Sequence, residues 1–240
     1  MIAPETAAFI LIDMQNGFIE EESPLCIAGA ASTVDACARA LKAAREQGMH
    51  VIHVQRRYNA NGSDVEPCRF QTWLDGGRPL SDAWPDSLEA PEALKPQPGD
   101  HLITKPRFSA FFDTGLDALL RALKVETVVL AGTTTPNCVR ATCYDALSLN
   151  YNVAVVEDCT SSRSPEAQAA NIADMECVGA FVMTCDELRE DGLEDMPDTV
   201  AEMRAELRGI EEVTTAMAQS ALKAAKERAA EADAGKADEA

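Results

Sequence analysis

The sequence predicts an α/β fold: a three-layer α/β/α arrangement around a mostly parallel sheet, with a helical extension at its C-terminal end. Three observations carry that prediction. Short apolar, β-branched runs recur at residues 7–13, 49–55, 101–105, 127–131, 152–157 and 180–184. Continuous apolar runs of this length suit strands buried on both faces, as in parallel sheets. Helical patterns separate several of the runs, which calls for right-handed crossovers and helices on both faces of the sheet. Finally, chemically active residues fall at or just beyond the ends of three runs, namely Asp13, Lys105 and Cys138. That C-terminal edge is where open α/β sheets bind their ligands.

Residues 7–13 read as a buried strand that delivers Asp13 to the edge, and residues 14–25 as a polar loop. Residues 30–47 read as a helix, because Val34, Cys37, Ala38, Leu41 and Ala44 recur at helical spacing and Gly48 stops it. Residues 49–55 are the second strand. Residues 56–98 are long and broken by Gly and Pro, and connections of that length inside a compact domain are usually functional. Their Arg57, Tyr58, Arg69, Phe70, Trp73 and Trp84 either wall a pocket or anchor the loop to the core. Residues 101–105 form the third strand and 116–123 a helix. Residues 127–131 form a strand that ends at Gly132, and a helix starts near Asn137 with Val139, Thr142 and Leu147 facing inward. Cys138 then sits in the first turn of a helix that follows a strand. Unpaired N–H groups and the helix dipole at such a place stabilise a thiolate or an oxyanion. Pro136 costs no hydrogen bond there. The alternative is a structural cysteine, since free Cys is among the most buried residue types. Residues 152–157 are a strand, Ser164 caps a helix with Pro165 in its first position, and 180–184 are the last strand.

Residues 1–190 make up the main domain and residues 191–240 an acidic, Ala- and Glu-rich extension. Val200, Met203, Leu207, Ile210, Met217 and Ala221 recur like a weak heptad seam. Residues 198–222 are expected to form one helix with that face buried, because an isolated helix of this length is marginal in water. The last ten or so residues are expected to fray. The chain of 240 residues has a formal net charge of −19. That balance argues against nucleic acid or a membrane surface as partner, since both demand clustered Lys and Arg. No run reaches transmembrane length, and no secretory signal is visible at the N-terminus. Cysteines stand at positions 26, 37, 68, 138, 143, 159, 177 and 185, with no C-x-x-C pair and no zinc spacing. They read as reduced thiols in the cytoplasm. His50 and His53 lie on opposite faces of one strand and cannot chelate a common metal.

The turn Gly132-Thr133-Thr134-Thr135-Pro136-Asn137-Cys138-Val139 resembles the cysteine loop of the isochorismatase-like (cysteine hydrolase) superfamily. Ile10-Leu11-Ile12-Asp13-Met14-Gln15-Asn16-Gly17-Phe18 and Lys105-Pro106-Arg107-Phe108-Ser109-Ala110-Phe111 match it in the same order, and the three together span residues 5–185. The resemblance implies a Rossmann-like, isochorismatase-like domain and a catalytic triad of Asp13, Lys105 and Cys138. In that triad Cys138 is the nucleophile, Asp13 is general base and then acid, and Lys105 holds Asp13 and favours the thiolate. It also implies an oxyanion hole made by the backbone N–H groups of Thr134 and Cys138, with a cis peptide joining Thr133 to Thr134. The zinc-dependent nicotinamidase branch carries an Asp and two His just after the second strand, where this chain has Gln55-Arg56-Arg57-Tyr58. No metal and no cofactor are therefore expected. The branch that cleaves a vinyl ether lacks the cysteine, so Cys138 favours C–N cleavage.

The implied activity is hydrolysis of a small amide, ureide or lactam through an acyl-enzyme. It is similar to that of biuret and ureidoacrylate hydrolases, N-carbamoylsarcosine amidase and streptothricin hydrolase. The expected substrate contacts are Gln15, Phe18, Tyr58, Arg69, Trp73, Phe108, Phe111 and Asn137. Arg57, Arg69 or Arg107 is available to bind a substrate carboxylate in a bidentate fashion. By resemblance the assembly is a homodimer or homotetramer, with the extension as an intersubunit arm. The competing readings are a catalytically idle scaffold or binding subunit, a nicotinamidase-type amidase, and a thiol redox protein. The lack of C-x-x-C weighs against the last.

Overall fold

The computed structural model describes residues 2–237, with side chains described as far as Lys223. Its strands are β1 (Ala7–Ile12), β2 (His50–Arg56), β3 (His101–Lys105), β4 (Thr127–Thr133), β5 (Asn152–Ser161) and β6 (Phe181–Met183). They form one six-stranded sheet in the order β3-β2-β1-β4-β5-β6, parallel throughout. The helices are α1 (Asn16–Ile19), α2 (Val34–Gln47), α3 (Phe70–Asp75), α4 (Leu116–Ala122), α5 (Arg140–Ser148), α6 (Pro165–Cys177), α7 (Cys185–Glu190) and α8 (Thr199–Ala237).

Alternation along the strands splits the core into two layers. Ala7, Phe9 and Leu11 of β1, with Val129 and Ala131 of β4, meet Cys37, Leu41 and Ala44 of α2 and Leu188 of α7. Ala8, Ile10 and Ile12, with Val128 and Leu130, meet Leu116 and Leu120 of α4, Cys143 of α5 and Met175 of α6. Every residue of β1 and β4 is buried, as the unbroken apolar runs predict. Fully buried leucines such as Leu41 and Leu120 each contribute about 1.5–3 kcal/mol, more than helix propensity differences between residues.

The chain leaves β1 towards β2 and β3, then returns to place β4 on the other side of β1. The switch point of the sheet is therefore the gap between the ends of β1 and β4. Gly132 closes that gap. It pairs with Ile12, adopts φ +109°, and a Cβ there would lie 2.1 Å from Ile12 O. Only glycine lets the two backbones meet so closely at this point.

Some boundaries differ from the sequence reading. The polar stretch after β1 contains the short helix α1. β5 runs on to Ser161, because the ladder with β4 resumes after a register shift between Leu130 and Gly132. The compact unit continues through Pro197 instead of ending at 190, since Leu193 and Met196 are buried in the α2 layer. The second unit starts at Asp198 and is mainly α8. This helix runs to Ala237, so its bounds take in residues 231–237, in keeping with their Ala, Glu and Lys content. Residues 238–240 lie outside the described residues. The expected buried seam is not buried within the single chain: Val200 is, but Met203 is 44% exposed and Met217 is 69% exposed.

Candidate active site

Asp13 is the first residue beyond β1. Its N–H still donates to Val54 O (2.8 Å), and its backbone then turns through a left-handed conformation (φ 54°) that Asp tolerates better than most residues. Lys105 is the last residue of β3, opposite Arg56 in the ladder. Cys138 lies in a single wide turn, Thr135–Val139, that joins β4 to α5. The three side chains are buried together. Lys105 Nζ is 2.7 Å from Asp13 Oδ2, donates to Cys138 Sγ at 3.3 Å, and donates to Arg107 O at 3.0 Å. Both Asp13 carboxylate oxygens are buried without a hydrogen bond of ordinary geometry among the described residues, Oδ2 being held by the Lys105 ion pair alone. An unsatisfied acceptor in such a place is uncommon and marks a group available for chemistry.

Burial pushes the Cys138 thiol up; the Lys105 charge pulls it back, Asp13 raises it further and Arg56 opposes that. The net effect favours the thiol form of Cys138 over the thiolate. A buried ion pair such as Asp13–Lys105 is a poor stabiliser of folds, because desolvation offsets much of the attraction.

A second buried network stands behind the first. Arg56, fully buried at the end of β2, donates to Glu66 Oε1 (2.5 Å), Pro106 O (2.9 Å) and Arg107 O (2.7 Å). Tyr58 Oη donates to Glu66 Oε2 (2.6 Å), and Arg69 Nη1 donates to Tyr58 Oη (3.2 Å). Burial raises Glu66, but Arg56, the Tyr58 hydroxyl and Arg69 outweigh it and hold the carboxyl below its usual range.

The turn before Cys138 is braced from β5. The peptide between Thr133 and Thr134 is cis. Thr134 Oγ1 donates to Ser161 O (3.0 Å), and Ser161 Oγ donates to Thr133 Oγ1 (2.9 Å). Thr135 Oγ1 lies within reach of Ser161 O (2.9 Å) and of Gln168 Oε1 on α6 (2.6 Å). Thr142 Oγ1 accepts from Ala110 N (2.9 Å) and donates to Cys138 O (2.7 Å), tying the segment after Lys105 to the cysteine.

Asp13 and Cys138 open on a cavity of about 260 Å³, walled by apolar Phe18, Leu25 and Ile27 and by polar Arg69, Thr134 and Asn137. Of the substrate contacts expected from sequence, Phe18, Arg69 and Asn137 are there. Phe108 is next door, under the Arg69 guanidinium (5.2 Å to the ring centroid) and against Asn137 and Tyr144. The others are elsewhere. The Gln15 carboxamide is occupied by the backbone of Arg56 and Leu88. Trp73 is fully buried, donates Nε1–H to Pro79 O (2.7 Å), and packs edge-on to Tyr58. Both belong to a small satellite core that pins the long loop. Phe111 stacks on Tyr151. Arg56, Glu66, Ser161 and Gln168 were not singled out by sequence reasoning; for Ser161 the one local signal available is the polar Thr160-Ser161-Ser162 run that follows an apolar strand. His53 bonds to Asp100, away from this cavity, and no cluster of three or more His, Cys, Asp or Glu among the described residues is placed to hold a metal.

The isochorismatase domain family matches residues 7–187. The chain is 37% identical over 186 residues to a probable inactive nicotinamidase of Arabidopsis thaliana, covering 77% of this chain and 95% of the relative. It is 34% identical over 199 residues to the ureidoacrylate amidohydrolase RutB of Pantoea ananatis, covering 75% and 79%. An isochorismatase family protein from Desulfovibrio vulgaris superposes with a TM-score of 0.73 at 40% identity, covering 76% of this chain and 96% of that one. The family match ends at residue 187, ahead of α8. Membership follows from the extent of these matches, and the chain belongs to the isochorismatase-like superfamily.

Proposed function

We propose that this protein is a cysteine-dependent hydrolase that cleaves a C–N bond of a small amide, ureide or lactam through an acyl-enzyme on Cys138. The observation that carries the reading is the bridging position of buried Lys105 Nζ, 2.7 Å from Asp13 Oδ2 and 3.3 Å from Cys138 Sγ, behind a cavity that Asp13 and Cys138 line. Relatives named as amidohydrolases support the reaction type.

In this scheme Cys138 Sγ attacks the substrate carbonyl while Asp13 takes the thiol proton, and the Lys105 cation offsets the cost of making a thiolate in a buried site. The tetrahedral oxyanion receives the N–H groups of Thr134 and Cys138. Collapse breaks the C–N bond, and Asp13 returns its proton to the leaving nitrogen. Water then attacks the thioester with Asp13 again as base, the acid product leaves, and the proton goes back to Sγ. No metal takes part in this scheme. Lys105 and Arg56 already surround the Asp13 carboxylate with positive charge, which would repel a metal cation.

A second reading, a catalytically idle binding or scaffold member, is favoured by the Arabidopsis relative, whose name calls it inactive. Whole-protein mass spectrometry separates the two. The chain is incubated with a panel of small amides, ureides and lactams, nicotinamide included. We expect an acyl adduct that maps to Cys138 and disappears as product accumulates. Saturable binding with neither adduct nor product would establish the idle reading.

We place the protein in the cytoplasm, in keeping with its free thiols. No helix among the described residues is long and apolar enough to cross a membrane. We also propose a homodimer or homotetramer in which a second copy covers the seam of α8. Met203, Leu207, Ile210 and Met217 alternate at three- and four-residue or full-heptad spacing on an exposed helix, the pattern that pairs with its own kind. A chain ended at Pro197, where the compact unit closes, is expected to show a smaller mass by light scattering. An unchanged mass rules the arm out and leaves the chemistry untouched.

A further inference from the structure

We infer that Arg69 makes this site selective for amides or ureides that carry a carboxylate. The inference rests on Cys138 being the nucleophile of the cavity, and it names the substrate class.

The sequence leaves three arginines open for such a role, and the structure separates them. Arg57 is on the surface, paired with Asp82. Arg107 turns its Nη1 to the carbonyls of Asp64 and Pro106, both at 2.7 Å. Arg69 alone of the three shares the cavity wall with Cys138, near enough that the two interact electrostatically.

Arg69 is held in place yet not neutralised. Its side chain is 17% exposed, and its guanidinium lies over Phe108. The one hydrogen bond it makes among the described residues runs from Nη1 to Tyr58 Oη. Glu66 Oε2 is 3.6 Å from Nε, and the Glu66 oxygens are already taken by Arg56 and Tyr58 at 2.5 and 2.6 Å. A guanidinium has five N–H donors in a planar fork matched to a carboxylate, so donors remain for a ligand. Stacking on an aromatic ring fixes the fork beforehand and lowers the entropy lost on binding.

Charge counting points the same way. The charges around the site are the buried carboxylates Asp13 and Glu66, the buried cations Lys105 and Arg56, and the half-buried Arg69. With Cys138 as a thiol, one positive charge is left over in a site that water reaches poorly. Buried unpaired charge is costly, and an anionic substrate cancels it. A neutral amide of the same shape would desolvate Arg69 without pairing it.

The experiment needs no knowledge of the substrate. Iodoacetate and iodoacetamide are close in size and alkylate thiols by the same displacement: Sγ bonds to the methylene, iodide leaves, and the thiol proton is lost. Only one is an anion. Alkylation rates at Cys138 are measured by peptide mass mapping for both reagents, with exposed Cys177 in the same sample as the reference thiol. We expect the acetate-to-acetamide rate ratio at Cys138 to exceed that at Cys177 by about tenfold or more, the size of effect one nearby charge supplies. In Arg69→Gln the ratio at Cys138 is expected to fall most of the way to the reference. Arg69→Lys, a point charge without the fork, is expected to fall in between, and it carries the test if the glutamine variant does not fold. Equal ratios at Cys138 in wild type and either variant overturn the role of Arg69 while Cys138 still alkylates. Failure of Cys138 to react with either reagent overturns the nucleophile reading itself.

Discussion

Cys138→Ser is expected to lower turnover by at least about 10⁵-fold while the melting temperature stays close to wild type, since removing a catalytic nucleophile costs on this order. A serine hydroxyl is far less acidic than a thiol. The Lys105 charge lowers the cost of a buried thiolate, and on the proposed mechanism it is insufficient for an alkoxide. The replacement is otherwise conservative. The side chain stays the same shape, and a hydroxyl can still accept from Lys105 Nζ, so no buried polar group loses its partner. Turnover of the substrate identified from the panel, with a thermal melt, measures both halves. Activity within tenfold of wild type would sink the assignment of Cys138.

Asp13→Asn is expected to lose activity by about 10³-fold or more, because the amide cannot take the thiol proton. It is also expected to destabilise the fold by about 3–5 kcal/mol, because fully buried Lys105 loses its ion-pair partner. The two effects come apart in the double variant Asp13→Asn/Lys105→Met. Removing the stranded cation restores much of the stability and none of the activity. Denaturant unfolding and a turnover assay on the three proteins read this out. A single variant as stable as wild type would mean that Lys105 finds another partner and that the pair does not govern the site.

The sheet, and three side chains that the structure brings together at its edge, were legible in the sequence for a shared reason. A strand buried on both faces writes itself as an unbroken apolar run, so its end, and whatever follows it, can be located. Asp13 and Cys138 follow the ends of two such strands, β1 and β4, whereas Lys105 closes the half-exposed edge strand β3. Ser161 escaped notice because the apolar pattern of β5 stops at Val156; exposed Glu157 and Asp158 interrupt it before the ladder resumes. Arg56 and Glu66 escaped for a different reason. Their bond joins a strand end to an aperiodic loop, and nothing local in either segment announces the other. Trp73 and Tyr58 were legible as important but not as to role. An aromatic in a long loop reads equally well as wall or anchor, and the Trp73 bond to Pro79 O decides for anchor. The seam of α8 was legible as a pattern, whereas its exposure depends on what stands beside it.

The joint at Gly132 has a consequence for how such a site could be remade. The Asp13 and Cys138 segments are indexed to each other by main-chain contact between β1 and β4, whereas Phe18, Leu25, Ile27 and Arg69 come from connections outside those strands. On the proposed function, the reacting groups and these four wall residues therefore come from separate segments. Grafting a different 14–30 connection onto this frame is then expected to change the substrate while keeping the reaction, whereas any new 57–98 connection must keep Glu66 for fully buried Arg56. A designer seeking a new amidase from this scaffold would randomise the connections and leave the glycine alone.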